Sequence, residues 1–172
     1  MANKDLIIKK LKNKVGNIHI LFVCSGNIIR SAYSEILFEK MLQDKYGKTN
    51  IVSESGALVY HNDSIHFKTK RALLDKGVSK DRVKSHNPRH IDYNRKMFEN
   101  ADVIFGYSEG HMEELREFAD KSFLIWEFAF GERKEIADAF FTGTYDEAFA
   151  QIDKCLDKIL EIFEKNEIIK KK

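Results

Sequence analysis

Cysteine is scarce in this chain: Cys24 and Cys155 are the only two among 172 residues. So sparse a pair excludes a disulfide framework and leaves free thiols of the kind a reducing compartment maintains. Long apolar runs are missing as well. No stretch approaches the roughly 20 apolar residues needed to cross a bilayer. Met1 to Gly16 lacks the apolar core and cleavage site of a signal peptide, so the cytoplasm is the expected location. Neither sign of charge dominates: 29 Lys and Arg stand against 27 Asp and Glu, a net +2. So small an excess argues against nucleic acid as a partner. No break in composition divides the chain, and 43% hydrophobic with 12% aromatic residues suffices for one core.

What charge asymmetry exists lies at the start. Residues 1–17 hold Lys4, Lys9, Lys10, Lys12 and Lys14 against Asp5, a local +4, which leaves −2 for the rest. Ile7, Ile8, Leu11 and Val15 share one face of a helix whose other face is lysine. Residues 1–17 are therefore expected to form a basic helical extension. Such a face can rest on an acidic membrane or partner; more often it packs on its own domain. Residues 18–165 should form the main domain, and 166–172 a basic tail whose Lys170, Lys171 and Lys172 read as a frayed end.

Within the domain, Ile18 to Val23 is a short apolar run rich in β-formers and stopped by Ser25-Gly26-Asn27, the pattern of a buried strand entering a tight turn. Ser31 to Leu42 then shows helical spacing. Fainter repeats follow: a strand at Ile51–Ser55 stopped by Gly56, a helix at Ile65–Lys76, a strand at Val103–Tyr107, a helix at His111–Phe118 and a strand at Phe123–Trp126. Tyr145, Phe149, Ile152, Leu156, Ile159 and Phe163 form one stripe on a closing helix. Alternating strands and helices predict a three-layer, doubly wound α/β domain with a four-stranded parallel sheet. Ligands in such folds bind beyond the carboxyl ends of the strands, where strand order reverses.

The loop after the first strand reads Val23-Cys24-Ser25-Gly26-Asn27-Ile28-Ile29-Arg30-Ser31. It sets a cysteine at a strand end just before a helix N-terminus, where free N–H groups and the helix dipole favour an anion and a reactive thiolate. Gly26 and Asn27 tolerate the left-handed backbone that lets several N–H groups converge on one anion. Arg30 adds a planar fork suited to two phosphoryl oxygens. A lone cysteine at a strand end is ordinarily a small core residue, and Ser-Gly-Asn is an ordinary turn. Together at this spacing, Cys, Gly, Arg and Ser point instead to a tetrahedral oxyanion.

Cys24-Ser25-Gly26-Asn27-Ile28-Ile29-Arg30-Ser31 resembles the Cys-x-Gly-Asn-x-x-Arg-Ser signature of the low-molecular-weight protein tyrosine phosphatases, a family that includes thioredoxin-coupled arsenate reductases. The likeness extends from about Ile18 to Phe163 and makes residues 18–165 a phosphatase domain. Ser55-Gly56-Ala57, His86-Asn87-Pro88-Arg89 and Ile136-Ala137-Asp138-Ala139-Phe140 resemble further family segments.

The resemblance implies that Cys24 attacks phosphorus while Arg30 and the backbone of Ser25, Gly26, Asn27, Ile28 and Ile29 hold the phosphoryl oxygens. It implies that Ser31 steadies the thiolate and that Asp138 acts as general acid and then base. Asn27, Ser55 and His86 would brace the loop. Tyr60, His61, Phe140 and Phe141 would wall the pocket, and neither metal nor other cofactor is implied. The partner would be a phosphotyrosine-containing protein or peptide, and the product inorganic phosphate. By themselves Asp138, His86 and Ser55 are commonplace residues; only their family positions promote them.

The chain departs from the family pattern in places. Ala32 and Ala139 stand where the family has proline. The loss at Ala139, with its fixed φ, is expected to loosen the acid loop. Phe140 and Phe141 keep the apolar ring packing without the tyrosine hydroxyls of many members. Ile29 takes the place of a second loop cysteine. Arsenate reduction, a rival use of the same loop, needs two further cysteines, and none lies between Cys24 and Cys155. A phosphotyrosine-binding module without turnover is the other rival.

Overall fold

The unbroken apolar run from Ile18 to Val23 has no polar face to offer solvent, and such a strand is stable only between two covering layers. The computed structural model, which describes residues 2–172, places it there. Strand β1 (Ile18–Cys24) lies inside an all-parallel sheet of order β2-β1-β3-β4, with β2 (Ile51–Ala57), β3 (Val103–Gly106) and β4 (Ser122–Leu124). The flanking helices are α1 (Lys4–Asn13), α2 (Arg30–Tyr46), α3 (Phe67–Asp75), α4 (Lys80–Lys84), α5 (Arg95–Asn100), α6 (Glu109–Glu114), α7 (Ile125–Phe130), α8 (Ala139–Thr142) and α9 (Tyr145–Lys165). Met1, the first residue of the expected extension, lies outside the described residues.

Alternate side chains of β1 enter different cores. Ile18, Ile20, Phe22 and Cys24 join the larger one with Val103 and Phe105, whereas Leu21 and Val23 join a smaller one with Phe98, Ile104, Leu115 and Phe118. The two-residue period of a strand thus makes one apolar run serve both faces of the sheet. The larger core is closed by α2 and α9. Phe149, Ile152, Leu156, Ile159 and Phe163 of α9 are buried, each contributing about 1.5–3 kcal/mol.

Helix α1 also contributes to that core. Asn3 caps it by accepting the Leu6 N–H at 3.0 Å, and Ile7 and Leu11 are buried. Its apolar face is therefore taken up by the domain. Val15, expected on the same face, lies beyond the helix end and is 95% exposed, because the chain leaves helical backbone at Lys14 and turns at Gly16 with φ +89. The tail is not frayed either. The Lys170 N–H donates to Asn50 Oδ1 at 2.7 Å, its carbonyl accepts from the Asn50 N–H at 3.0 Å, and the Lys172 N–H donates to the Lys48 carbonyl at 2.9 Å. Main-chain groups left open between α2 and β2 tie it down.

Three boundaries differ from the sequence pattern. Gly56 does not stop β2 but pairs with Val23 inside it; a Cβ there would come within 3.0 Å of the Phe98 ring, so glycine makes room for packing. Strand β4 ends at Leu124, and Ile125 and Trp126 open α7, since a short apolar run does not distinguish strand from buried helix. The helix expected over His111–Phe118 is α6 followed by a 3-10 segment at Arg116–Lys121. Strand order reverses at β1, with β2 on one side and β3 and β4 on the other. The loops after β1 and β3 consequently open at the same carboxyl end.

Candidate active site

Cys24 ends β1 opposite Ala57, and six residues later the chain enters α2 at Arg30. Every carbonyl of that turn is turned outward. The Cys24 carbonyl accepts from Leu58, that of Ser25 from Val59 and Tyr60, and that of Gly26 from the Asn62 amide. Asn27 accepts from His86 Nε2 at 2.8 Å, Ile28 from the Thr69 hydroxyl at 2.8 Å, and Ile29 from the Tyr33 N–H. In a planar trans peptide the N–H points opposite to the carbonyl, so the N–H groups of Ser25 through Arg30 are directed to the hollow side. Among the described residues none of them has a protein acceptor. Ile29, at the N-cap of α2, supplies no side-chain cap, and the helix end is open to an anion.

The loop keeps this shape through buried side chains beneath it. Asn27 takes the left-handed backbone, φ 56, and is fully buried. Its amide donates to Ser31 Oγ at 2.9 Å and to Ser55 Oγ at 2.8 Å, while its Oδ1 accepts from the Arg89 N–H at 3.0 Å. A hydroxyl has one proton to give. With the Asn27 amide as donor to it, Ser31 is left to give its proton to Cys24 Sγ, 3.0 Å away. Ser55 gives its own to Glu35, a buried carboxylate that also pairs with Arg82 at 2.7 Å and Arg89 at 3.0 Å. Burial pushes His86 below the usual histidine value, which suits a neutral ring donating to the Asn27 carbonyl.

Arg30 is 4% exposed. Its Nη1 donates to the Ile136 carbonyl at 3.0 Å, its Nη2 lies 3.3 Å from Asp138 Oδ2, and its guanidinium stands over the Tyr107 ring at 5.7 Å. Asp138 in turn caps α8 by accepting the Phe140 N–H at 3.1 Å. Although proline is absent at Ala139, the loop that carries Asp138 is pinned by these contacts and by the Ile136 N–H donating to the Tyr107 carbonyl at 2.9 Å. His111, missed by sequence reasoning, stands behind Arg30. It accepts the Tyr107 N–H on Nδ1 at 2.9 Å, so its proton sits on Nε2, 3.3 Å from Ser25 Oγ. Burial, then the neighbouring Arg30 charge, lower its pKa to about 3. The ring is neutral.

The cleft, about 450 Å³, is lined by Cys24, Ser25, Gly26, Ile28, Ile29 and Arg30 at its floor, and by Tyr60, His61, Asn62, Asp138, Phe140 and Phe141 around its mouth. The structure therefore gathers the anticipated loop residues, acid and wall in one place. Asn27, Ser55 and His86 stand beneath the loop rather than in the cleft. His61 stacks on His90 at 3.8 Å between ring centroids. His90 engages both nitrogens, one with the Val59 carbonyl and one with the Asp92 N–H, so it offers no free lone pair to a metal although His61, His90 and Asp92 lie close together. Glu35, four residues after Ser31 on one face of α2, had a sequence signal in its helical spacing. Asn62 and His111 had none, because long-range folding alone brings them in.

The model of the low molecular weight phosphotyrosine protein phosphatase family matches residues 19–172. A protein-arginine-phosphatase of Bacillus subtilis is 26% identical over 125 residues, covering 70% of this chain and 79% of that one. The low molecular weight protein-tyrosine-phosphatase PtpA of Staphylococcus epidermidis is 22% identical over 164 residues, covering 90% and 99%. The crystal structure of a low molecular weight protein tyrosine phosphatase from T. tengcongensis superposes with a TM-score of 0.72 at 21% identity, over 84% of this chain and 99% of that one, a likeness of fold.

Proposed function

The chain belongs to the low molecular weight phosphotyrosine protein phosphatase family, and on that premise we propose that it hydrolyses phosphotyrosine in proteins through a covalent phospho-cysteine on Cys24. The observation that carries this reading is the loop itself: six inward N–H groups without protein acceptors around a cysteine sulfur, with a buried guanidinium beside it. Such a cradle suits the equatorial oxygens of a phosphoryl group in transfer.

In the first step Cys24 Sγ bonds to phosphorus as the bond from phosphorus to the phenolic oxygen breaks, and Asp138 gives that oxygen a proton. An arriving phosphoryl dianion offers Arg30 two charged acceptors, which frees Asp138 from its ion pair. In the second step Asp138 takes a proton from water as the water oxygen attacks phosphorus. The sulfur leaves with the bonding pair, steadied by the Ser31 hydroxyl, and inorganic phosphate is released.

Some relatives are named for phosphoarginine. A guanidino leaving group calls for carboxylates around the mouth, and the lining here supplies Asp138 alone, already facing Arg30. The rest of the mouth is Tyr60, His61, Asn62, Phe140 and Phe141, with the last two 59% and 70% exposed and free to flank an aromatic ring. Matched peptides carrying phosphotyrosine or phosphoarginine test this: phosphotyrosine should show the higher kcat/KM by at least about tenfold, the size of one hydrophobic specificity contact. Faster release from phosphoarginine would overturn the aryl assignment, and release from neither would favour a binding module.

A further inference from the structure

The end of the sheet opposite the cleft carries a concentration of lysine that the linear sequence divides between its two extremities. The antiparallel pairing of Thr49 with Lys171 brings the tail against the turn before β2, beside the end of α1. Lys170 Nζ reaches the Lys12 carbonyl at 3.5 Å, and Lys172 Nζ donates to Asn17 Oδ1. Lys9, Lys10 and Lys12 of α1, Lys48 of the turn, and Lys170, Lys171 and Lys172 are all exposed. Among the described residues none of these seven forms an ion pair, whereas Lys14 beside them is neutralised by Asp102 at 2.7 Å. The whole chain is only +2, so this pole is positive against a remainder that is net negative.

We propose that this pole docks the protein peripherally on an anionic lipid bilayer, with the catalytic cleft facing the aqueous phase. The kind of charge selects the partner. The free cations here are all lysine, point charges that suit a diffuse anionic surface; the forked arginines that read phosphates in a fixed geometry are absent from the group. Tyr46 shares a hollow with Lys170, but it is half-buried and stands beside Glu164 and Glu167, a poor platform for stacking a base, which disfavours single-stranded nucleic acid. Val15, 95% exposed, and Leu6, 50% exposed, protrude beside these lysines, Val15 from a hollow with Lys12, Lys170 and Lys172 and Leu6 from a neighbouring one with Lys9 and Lys10. They supply the small apolar insertion that accompanies electrostatic docking. Contact is peripheral, because Ile7 and Leu11 of α1 are already buried in the core.

Orientation follows from the sheet. Asn17 and Asn50, which line the basic hollow, precede β1 and β2. Cys24 lies at the far end of β1, about 20 Å away at roughly 3.3 Å per residue. A bilayer at the lysine pole leaves the cleft open to phosphoproteins beside the membrane.

Sedimentation of the full chain with phosphatidylcholine vesicles, with and without phosphatidylglycerol, tests the proposal. Binding is expected only with the anionic lipid and should fall steeply as salt is raised. Replacing Lys170, Lys171 and Lys172 together by Gln should weaken it about a hundredfold, near fivefold per lysine. Val15→Asp should weaken it further, and turnover of para-nitrophenyl phosphate, unchanged in both variants, shows that they fold. Equal binding to neutral vesicles, indifference to these substitutions, or tighter binding to an oligonucleotide than to anionic vesicles would each overturn it.

Discussion

The two ends of this sheet both present positive potential, and they are built in opposite ways. At the carboxyl end the positive groups are backbone N–H dipoles and one buried arginine, held by Asn27, Ser55, Glu35, His86 and Arg89 underneath. At the amino end they are seven exposed lysines on flexible stems, none of them in an ion pair among the described residues. The first arrangement is fixed before a ligand arrives and shielded from salt. It can favour one charge distribution, that of a phosphoryl group in transfer, over others. The second is screened beyond about 8 Å at physiological ionic strength and does not discriminate among anionic surfaces by shape. Preorganisation, rather than the amount of charge, separates a catalytic anion site from a docking surface.

The largest effect expected from breaking this contrast is at Cys24. Cys24→Ser should lower turnover of para-nitrophenyl phosphate by about 10⁴-fold or more, as removal of a nucleophile does in other covalent enzymes, yet leave inorganic phosphate binding within a few-fold. Steady-state rates and a calorimetric titration measure the two. Wild-type turnover in the variant would show that the preorganised end does not work through Cys24.

A smaller and more selective loss is expected at the acid. Asp138→Asn should slow phosphotyrosine by about 10²–10⁴-fold, the range for a general acid, and para-nitrophenyl phosphate by much less, because its phenolate leaves readily without a proton. Rates on the two substrates check this; equal losses would place the acid elsewhere.

The smallest effect concerns pH and again separates the two ends. Native His111 has its pKa lowered to about 3, first by burial and then by Arg30, whereas the unfolded side chain titrates near 6.5. Below pH 6.5 the unfolded chain therefore binds a proton that the native site refuses. The stability from the neutral ring is present above 6.5 and is lost as pH falls toward 3, by about 1.4 kcal/mol per unit. Between pH 7 and 5, urea unfolding should show wild type losing about 2 kcal/mol more than His111→Asn. Replacing pole lysines by Gln should leave that slope unchanged. Parallel profiles for wild type and His111→Asn would show that His111 does not carry it.

Much of the molecule follows from local pattern. The run from Ile18 to Val23 has nowhere to go but the middle of a sheet, the stripe from Phe149 to Phe163 specifies a helix packed on one side, and Gly26 with Asn27 permits the turn from β1 into α2. Cys24, Arg30 and Ser31 were legible for the same reason, being near neighbours in one loop whose spacing is itself the signal. What tertiary structure alone decided are relations between residues far apart in the chain. His111 comes to Arg30, Asn62 to the Gly26 carbonyl and Arg89 to Glu35 because the loops after β1, β2 and β3 open at one end of a parallel sheet. By the same physics the lysines of α1 and of the tail, each unremarkable as a solvated charge run, became one surface only when Thr49 and Lys171 paired. Periodicity and turn chemistry act over a few residues, whereas the direction and order of strands decide which distant side chains share a surface.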